Sequence, residues 1–372
     1  MKMEKINFYN TNLSYDAIQM AHQTLTSGMI SAGKKAQEFE NELAKRGLKN
    51  PVTLNSGTVT MMLALTAAGI GPGDEVIIPA QTFIATGMAV MQVGAKVVFC
   101  DIDPHTGNID TMRLSQKITP KTKAIIPVHW AGYPCDMYEI LGICQVHNLV
   151  CIEDAAHAFG AMYKELPIGS LSRFTSFSFQ AIKHLTTGDG GALCCHSDKD
   201  AYVVKKLRWF DIDRDNSMES ILGERLYSAA SVGYKAHMND LAASIGLGNL
   251  KNNYIDNVLL HHREIAEKYN NAFDNSFLEL MKYKDDRVSS YWIYPVLVSD
   301  EKERVSFIEY MREKEIPLSV VHQGIDKNSV FGGINYDLEG QREFDKRQIH
   351  LPINYGMGME QVDHIIKCVK NY

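Results

Sequence analysis

Apolar residues recur at two spacings along this chain, and the change from one to the other predicts its elements. Residues 13–48 carry two helical patterns, of which 34–44 is the clearer. From about residue 52 to 195, helix-like runs alternate with short apolar stretches at 75–79, 96–101, 124–128 and 149–154, the βαβ rhythm of a mostly parallel sheet. Phe174, Ser176 and Ser178 alternate with Thr175, Phe177 and Phe179, which reads as a buried strand with small polar groups at its end. A long helical pattern over about 239–273 leads toward a smaller domain, with Gly246 and Gly248 at its expected bend. Beyond it the pattern predicts a strand at 291–298, a helix at 301–314, a strand at 316–322 and a closing helix at 358–370. The expected fold class is α/β: a large domain over residues 1–248, with a mostly parallel central sheet flanked by helices, and a smaller C-terminal α+β domain over 249–372 that covers one side of a ligand cleft.

Length agrees with that division, since 372 residues exceed one typical core. With 45% hydrophobic and 22% charged residues, the composition is that of a soluble globular protein. The net charge of -6 argues against a nucleic-acid partner, because such proteins carry a basic excess to offset phosphates, so an anionic ligand here needs local positive charge. No apolar run follows Met1-Lys2-Met3-Glu4-Lys5, and none approaches the roughly 18 residues of a membrane helix. A cytoplasmic enzyme without membrane contact is expected. Seven cysteines without a Cys-x-x-Cys pair or zinc-like spacing read as small buried hydrophobes, and no metal is expected.

Three stretches carry candidate chemistry. Lys183 follows the 174–179 strand and precedes the glycine-rich Gly188-Asp189-Gly190-Gly191. A lysine in a mostly apolar pocket loses charge stabilisation, so its amine becomes available to a carbonyl, although most lysines are simply surface groups. The apolar run 149–152 ends in Glu153 and Asp154, at the carboxyl end of a strand where ligands of open α/β sheets lie. Asp154 there can cap a helix, bind a metal or pair with a protonated ring nitrogen. Leu54-Asn55-Ser56-Gly57-Thr58 enters a helix-like run, and the amides of a helix start, with hydroxyls beside them, bind phosphate. A lysine for an aldehyde, an aspartate for a pyridinium and a helix start for a phosphate are the contacts that pyridoxal 5'-phosphate (PLP) requires.

These stretches, with Gly71-Pro72-Gly73-Asp74-Glu75-Val76, Pro79-Ala80-Gln81-Thr82-Phe83, Asp101-Ile102-Asp103, Val128-His129 and Ala155-Ala156-His157, resemble the DegT/StrS type of sugar aminotransferase, PLP enzymes of fold type I, almost end to end. The resemblance implies that Lys183 is catalytic and holds PLP. It gives Phe83 the role of stacking on the pyridine ring, Asp154 that of keeping the ring nitrogen protonated, and His157 a contact near the ring. Ser178, Gly57 and Thr58 take the phosphate. Gly233-Tyr234-Lys235-Ala236-His237-Met238 stands where many relatives read Gly-Tyr-Asn-x-Arg-Met, so Lys235 replaces an asparagine that reaches the phosphate of a neighbouring subunit. His237 replaces the arginine, and with His129 and His322 it is an expected substrate contact. The implied protein is a homodimer with shared sites, aminating a keto sugar, most naturally a nucleotide-linked 4-keto-6-deoxyhexose, from glutamate. Relatives that dehydrate the sugar carry histidine in place of the lysine, and this chain keeps Lys183. A phosphorylated small ketone or a keto-inositol is the alternative substrate, and a silent regulatory homologue the alternative class.

Overall fold

The computed structural model describes residues 4–372 except Asn12, Asp215 and Asn275. Its first part is a seven-stranded sheet wrapped by helices. In chain order, α1 (Tyr15–Ser27) and α2 (Lys35–Lys45) precede β1 (Pro51–Leu54), α3 (Gly57–Ala67), β2 (Glu75–Pro79), α4 (Ile84–Gln92), β3 (Lys96–Cys100), β4 (Thr122–Ile125), α5 (Met137–His147), β5 (Val150–Asp154), β6 (Phe174–Ser178), β7 (Gly191–Cys195) and α6 (Asp198–Leu207). The strands lie in the order β1-β7-β6-β5-β4-β2-β3, and only β7 runs antiparallel to its neighbours. Val76, Ile77 and Ile78 are wholly buried, as expected where helices cover both faces of a parallel sheet. Asp154 is paired with Ser176 in the β5–β6 register, which aligns the ends of these two strands.

The predicted long helix over 239–273 is two helices, α7 (Asp240–Leu250) and α8 (Tyr254–Phe273). The break lies at residues 251–253, where Asn252 and Asn253 take left-handed φ of 51° and 57°, and not at Gly246 or Gly248. Those glycines serve packing. A Cβ on Gly248 would stand 2.2 Å from the Cα of Ala17, so glycine is what lets α1 and α7 lie backbone to backbone.

A second core follows, built on the antiparallel sheet β8 (Glu279–Leu280), β9 (Tyr294–Leu297) and β10 (Gln348–Leu351), with α9 (Glu301–Glu313), α10 (Glu339–Arg347) and α11 (Met359–Lys370). Phe273, Phe307, Ile349 and Ile365 are buried in it, and Ile6 joins them from the opposite end of the chain. The strand expected at 316–322 does not form. Ser319 makes a single bridge to His350, the Val321 N–H donates to the ring of His350, and the His322 carbonyl accepts from Gln81 and Gln348. Side chains have taken the backbone groups that a ladder needs. All seven cysteines are buried and free. Among the described residues, no helix is long and apolar enough to cross a membrane.

Candidate active site

Asp154 closes β5 and is buried. Thr86, in the first turn of α4, donates to its Oδ2 at 2.7 Å, and the Ala156 N–H donates to Oδ1 at 3.1 Å. Among the described residues the element that follows β5 is a short strand and no helix, so the carboxylate caps none. Burial pushes Asp154 above the ordinary carboxylate range, while Thr86, Ala156 and Lys183 pull the other way without cancelling it. A carboxylate in that state gains from a cation arriving with a ligand, because a positive partner offsets the desolvation.

Past Ser178, the turn that follows β6 carries Lys183 into the same cavity. Its Nζ lies 3.6 Å from the centroid of the Trp292 ring. Burial lowers Lys183 to about 7, against the opposing pull of Asp154. An amine so tuned is unprotonated in about half of the molecules at pH 7, and that is the form that attacks a carbonyl.

The third wall is the start of α3. Ser56 caps it, accepting from the Val59 N–H at 3.3 Å, and Gly57 and Thr58 follow with amides that no earlier turn can satisfy. A Cβ on Gly57 would stand 2.8 Å from that of Ser178, so glycine brings the helix start against the end of β6. Phe83 sits just before α4, 54% exposed, with its ring 5.2 Å from His322. His157 stacks on Trp292 at 3.8 Å and 17°. Burial and the Lys183 charge push His157 well below its usual range and His322 to about 4. Both rings keep a buried Nδ1 without a hydrogen-bond partner. The cavity measures ≈ 350 Å³.

Eight expected residues therefore meet on one cavity: Gly57, Thr58, Phe83, Asp154, His157, Ser178, Lys183 and His322. Three do not. His129, expected near the substrate, is fully buried behind β5, with Nε2 2.8 Å from Glu153 and Nδ1 accepting from the Cys135 N–H. Both ring nitrogens are used, so it braces the strand end instead. Burial pushes Glu153 up, but hydrogen bonds from His129, Ser172 and Thr175 outweigh it and hold the carboxyl below its ordinary value. Lys235 lies outside the cavity, its Nζ 3.4 Å from the centroid of the Trp209 ring. His237 packs edge-on against Trp209 and lines a separate cleft of ≈ 340 Å³ that also receives Lys205, Arg208 and Arg225. Trp292 and Thr86 are on the cavity and were not expected there. Thr86 repeats Thr82 one helical turn on, and the two hydroxyls stand 2.6 Å apart, a spacing the sequence does display. Trp292 has no such local signal.

PLP fits these groups: an amine, a buried carboxylate short of a cation, a helix start with hydroxyls beside it, and imidazole nitrogens without partners. Fold and cavity together define a PLP-dependent aminotransferase of fold type I. The model of the DegT/DnrJ/EryC1/StrS aminotransferase family matches residues 12–370, and the chain belongs to that family of sugar aminotransferases. It is 38% identical over 367 residues to the spore coat polysaccharide biosynthesis protein SpsC of Bacillus subtilis (strain 168), covering 96% of this chain and 94% of that one. A GDP-perosamine synthase of Escherichia coli O157:H7 is 31% identical over 382 residues, covering 100% and 99%. The PLP form of the putative sugar aminotransferase Spr1654 from Streptococcus pneumoniae matches the fold with a TM-score of 0.89 at 29% identity, over 99% of this chain and 98% of that one.

Proposed function

We propose that the keto sugar is a nucleotide-linked 4-keto-6-deoxyhexose and that glutamate donates the amino group. The observation that carries this reading is the whole-length likeness to a GDP-perosamine synthase, a protein named for a nucleotide-linked amino sugar.

When bound, PLP supplies an electron sink that takes the amino group from a donor and passes it to the ketone. Asp154 keeps the ring nitrogen protonated, held in plane by Thr86 and Ala156. Gly57 and Thr58 at the start of α3 and the Ser178 hydroxyl hold the phosphate. Phe83, which lines the cavity, would cover the ring. Lys183 would serve as the base that moves the substrate proton, and a base near the working pH suits both directions. His157 and His322 stay neutral at neutral pH, so each offers its unpartnered nitrogen without repelling Lys183.

Lys235 is assigned to the phosphate of a second subunit in a homodimer. Two facts support this: Gly57, Thr58 and Ser178 bring no cation to that phosphate, and the Lys235 amine stays outside its own chain's cavity. Seven thiols free of disulfides suit a cytoplasmic setting.

Assaying the purified enzyme with nucleotide-linked 4-keto-6-deoxyhexoses, a phosphorylated small ketone and a keto-inositol, each with glutamate and with glutamine, tests the reading. Amino-sugar formation from the nucleotide-linked ketone and glutamate is expected. Preference for either other ketone, or for glutamine, overturns the corresponding part.

A further inference from the structure

The indole of Trp292 is among the most firmly held side chains of the cavity. It is 3% exposed, its N–H donates to the Ile182 carbonyl at 3.0 Å, and it stacks against His157 and against Tyr9, whose ring lies 5.5 Å away at 23°. Its backbone is fastened to the large domain. The Trp292 N–H donates to Ala131 at 2.9 Å, the Ser290 N–H to Gly132 at 3.0 Å, and the Ser290 hydroxyl to the His157 carbonyl at 2.9 Å. The ring is thus tied to the loop that carries Lys183, at the residue immediately before it.

We propose that Trp292 is a positioning residue for Lys183: its ring face is the seat to which the amine returns whenever it is not bonded to the cofactor. Transamination needs such a seat. For half of each cycle the amino group resides on the cofactor, and Lys183 hangs on a flexible four-carbon stem. The negative face of an indole attracts an ammonium and far less a neutral amine, so the seat holds the lysine within reach and also favours its protonated form. Trp292 therefore works against burial, which lowers the amine.

The groups facing Lys183 leave room for this effect. Asp154 at the end of β5 attracts the ammonium. His157 beyond β5, His184 next in sequence, His322 from the C-terminal part and His262 on α8 are all lowered by burial, to about 4 for His322 and His262 and well below the usual range for the other two. Tyr9 is pushed up and stays protonated. In the neutral range, then, Asp154 and the Trp292 ring are what support the charge on Lys183.

The proposal rests on the reading of Lys183 as the working lysine, and its test observes Lys183 directly. In the full-length enzyme loaded with pyridoxamine phosphate, the pH profile of Lys183 carbamylation by cyanate, followed by peptide mass spectrometry, gives the midpoint of the amine. Trp292→Leu should lower that midpoint by roughly 0.5–1.5 units, and Trp292→Phe by less. Fluorinated tryptophans, which keep the shape and drain the ring face, should lower it stepwise, and they decide the matter if the leucine variant fails to fold. A midpoint that rises or stays in Trp292→Leu, or ignores fluorination, overturns the proposal. Turnover by Lys183→Ala would instead strike the reading of the site.

Discussion

Thr86 and Asp154 are 68 residues apart in sequence, yet the threonine hydroxyl donates to Oδ2 of the aspartate at 2.7 Å. With the Ala156 N–H on the other oxygen, this fixes the plane of the carboxylate before any cation reaches it. The arrangement is preorganised, so orienting the group costs nothing at the moment of reaction. Its electrostatic task depends on α4, because Thr86 is in turn braced by Thr82.

Lys183→Ala should lower turnover by at least ~10²–10⁴-fold, the range lost with a positioned base, while the fold persists. It should also raise the melting temperature of the cofactor-free protein. The folded-state value of about 7 lies below that of an exposed lysine, so the fold bears a buried charge in full below pH 7 and sheds that penalty as pH rises toward 10.5. The gain should be largest at pH 7 and below and fade above it. Calorimetry across that range checks the sign, and a lower melting temperature at pH 6 would refute it.

Asp154→Asn should weaken PLP retention and reduce turnover by orders of magnitude, since a neutral amide does not hold the pyridinium proton as a carboxylate does. Because burial raises Asp154 in the fold, its charged form is a burden above the usual carboxylate range. The cofactor-free variant should accordingly melt no lower than the parent at pH 7. In the parent, PLP affinity should fall as pH drops through the raised value and the carboxyl takes up a proton. Spectral titration with melting separates this from a purely structural role.

Gly57→Ala should loosen the phosphate cradle. The new methyl would meet Ser178 at 2.8 Å from its Cβ and 3.2 Å from its Cα. Overpacking of this kind costs about 1–3 kcal/mol, and the displaced element is the helix start itself. Faster PLP release with only a modest fall in melting temperature is the expected pattern, measured by cofactor exchange.

Lys235→Ala should weaken PLP roughly 10- to 150-fold, the equivalent of a charge-assisted hydrogen bond of ~1.5–3 kcal/mol. Mixing it with Lys183→Ala subunits should restore activity, because a mixed dimer confines both defects to one site. Normal PLP binding by Lys235→Ala, or sedimentation as an active monomer, would falsify the shared site.

Legibility in the sequence followed the range of the forces. The strands at 75–79 and 150–154 declare themselves because continuous apolar runs are what a sheet covered on both faces demands. Ser178, Lys183 and the start of α3 were visible for a similar reason: each sits at the end of an element whose pattern is local. The strand expected at 316–322 failed because His350, Gln81 and Gln348 claim its backbone groups from other parts of the chain. His129 was misplaced for the same cause, as nothing near it reveals that Glu153 takes its ring. Trp292 reaches Lys183 only through the folded topology.

The first residues have a consequence for biosynthesis. Ile6 is packed in the C-terminal core, the Asn7 carbonyl accepts from Asn354, and the Glu4 carbonyl accepts from Gln361 in α11. These carbonyls thus find their partners 347 and 357 positions later in the sequence. At the ~5–20 residues per second of translation, that separation takes roughly 17–70 s to synthesise. Until Asn354 and Gln361 have been made, the Asn7 and Glu4 carbonyls lack their partners, and until Trp292 has been made, Tyr9 has no indole to cover. Completion of the lysine's pocket therefore waits for Trp292, and chains cut short before it should emerge with an intact sheet but an unsealed site.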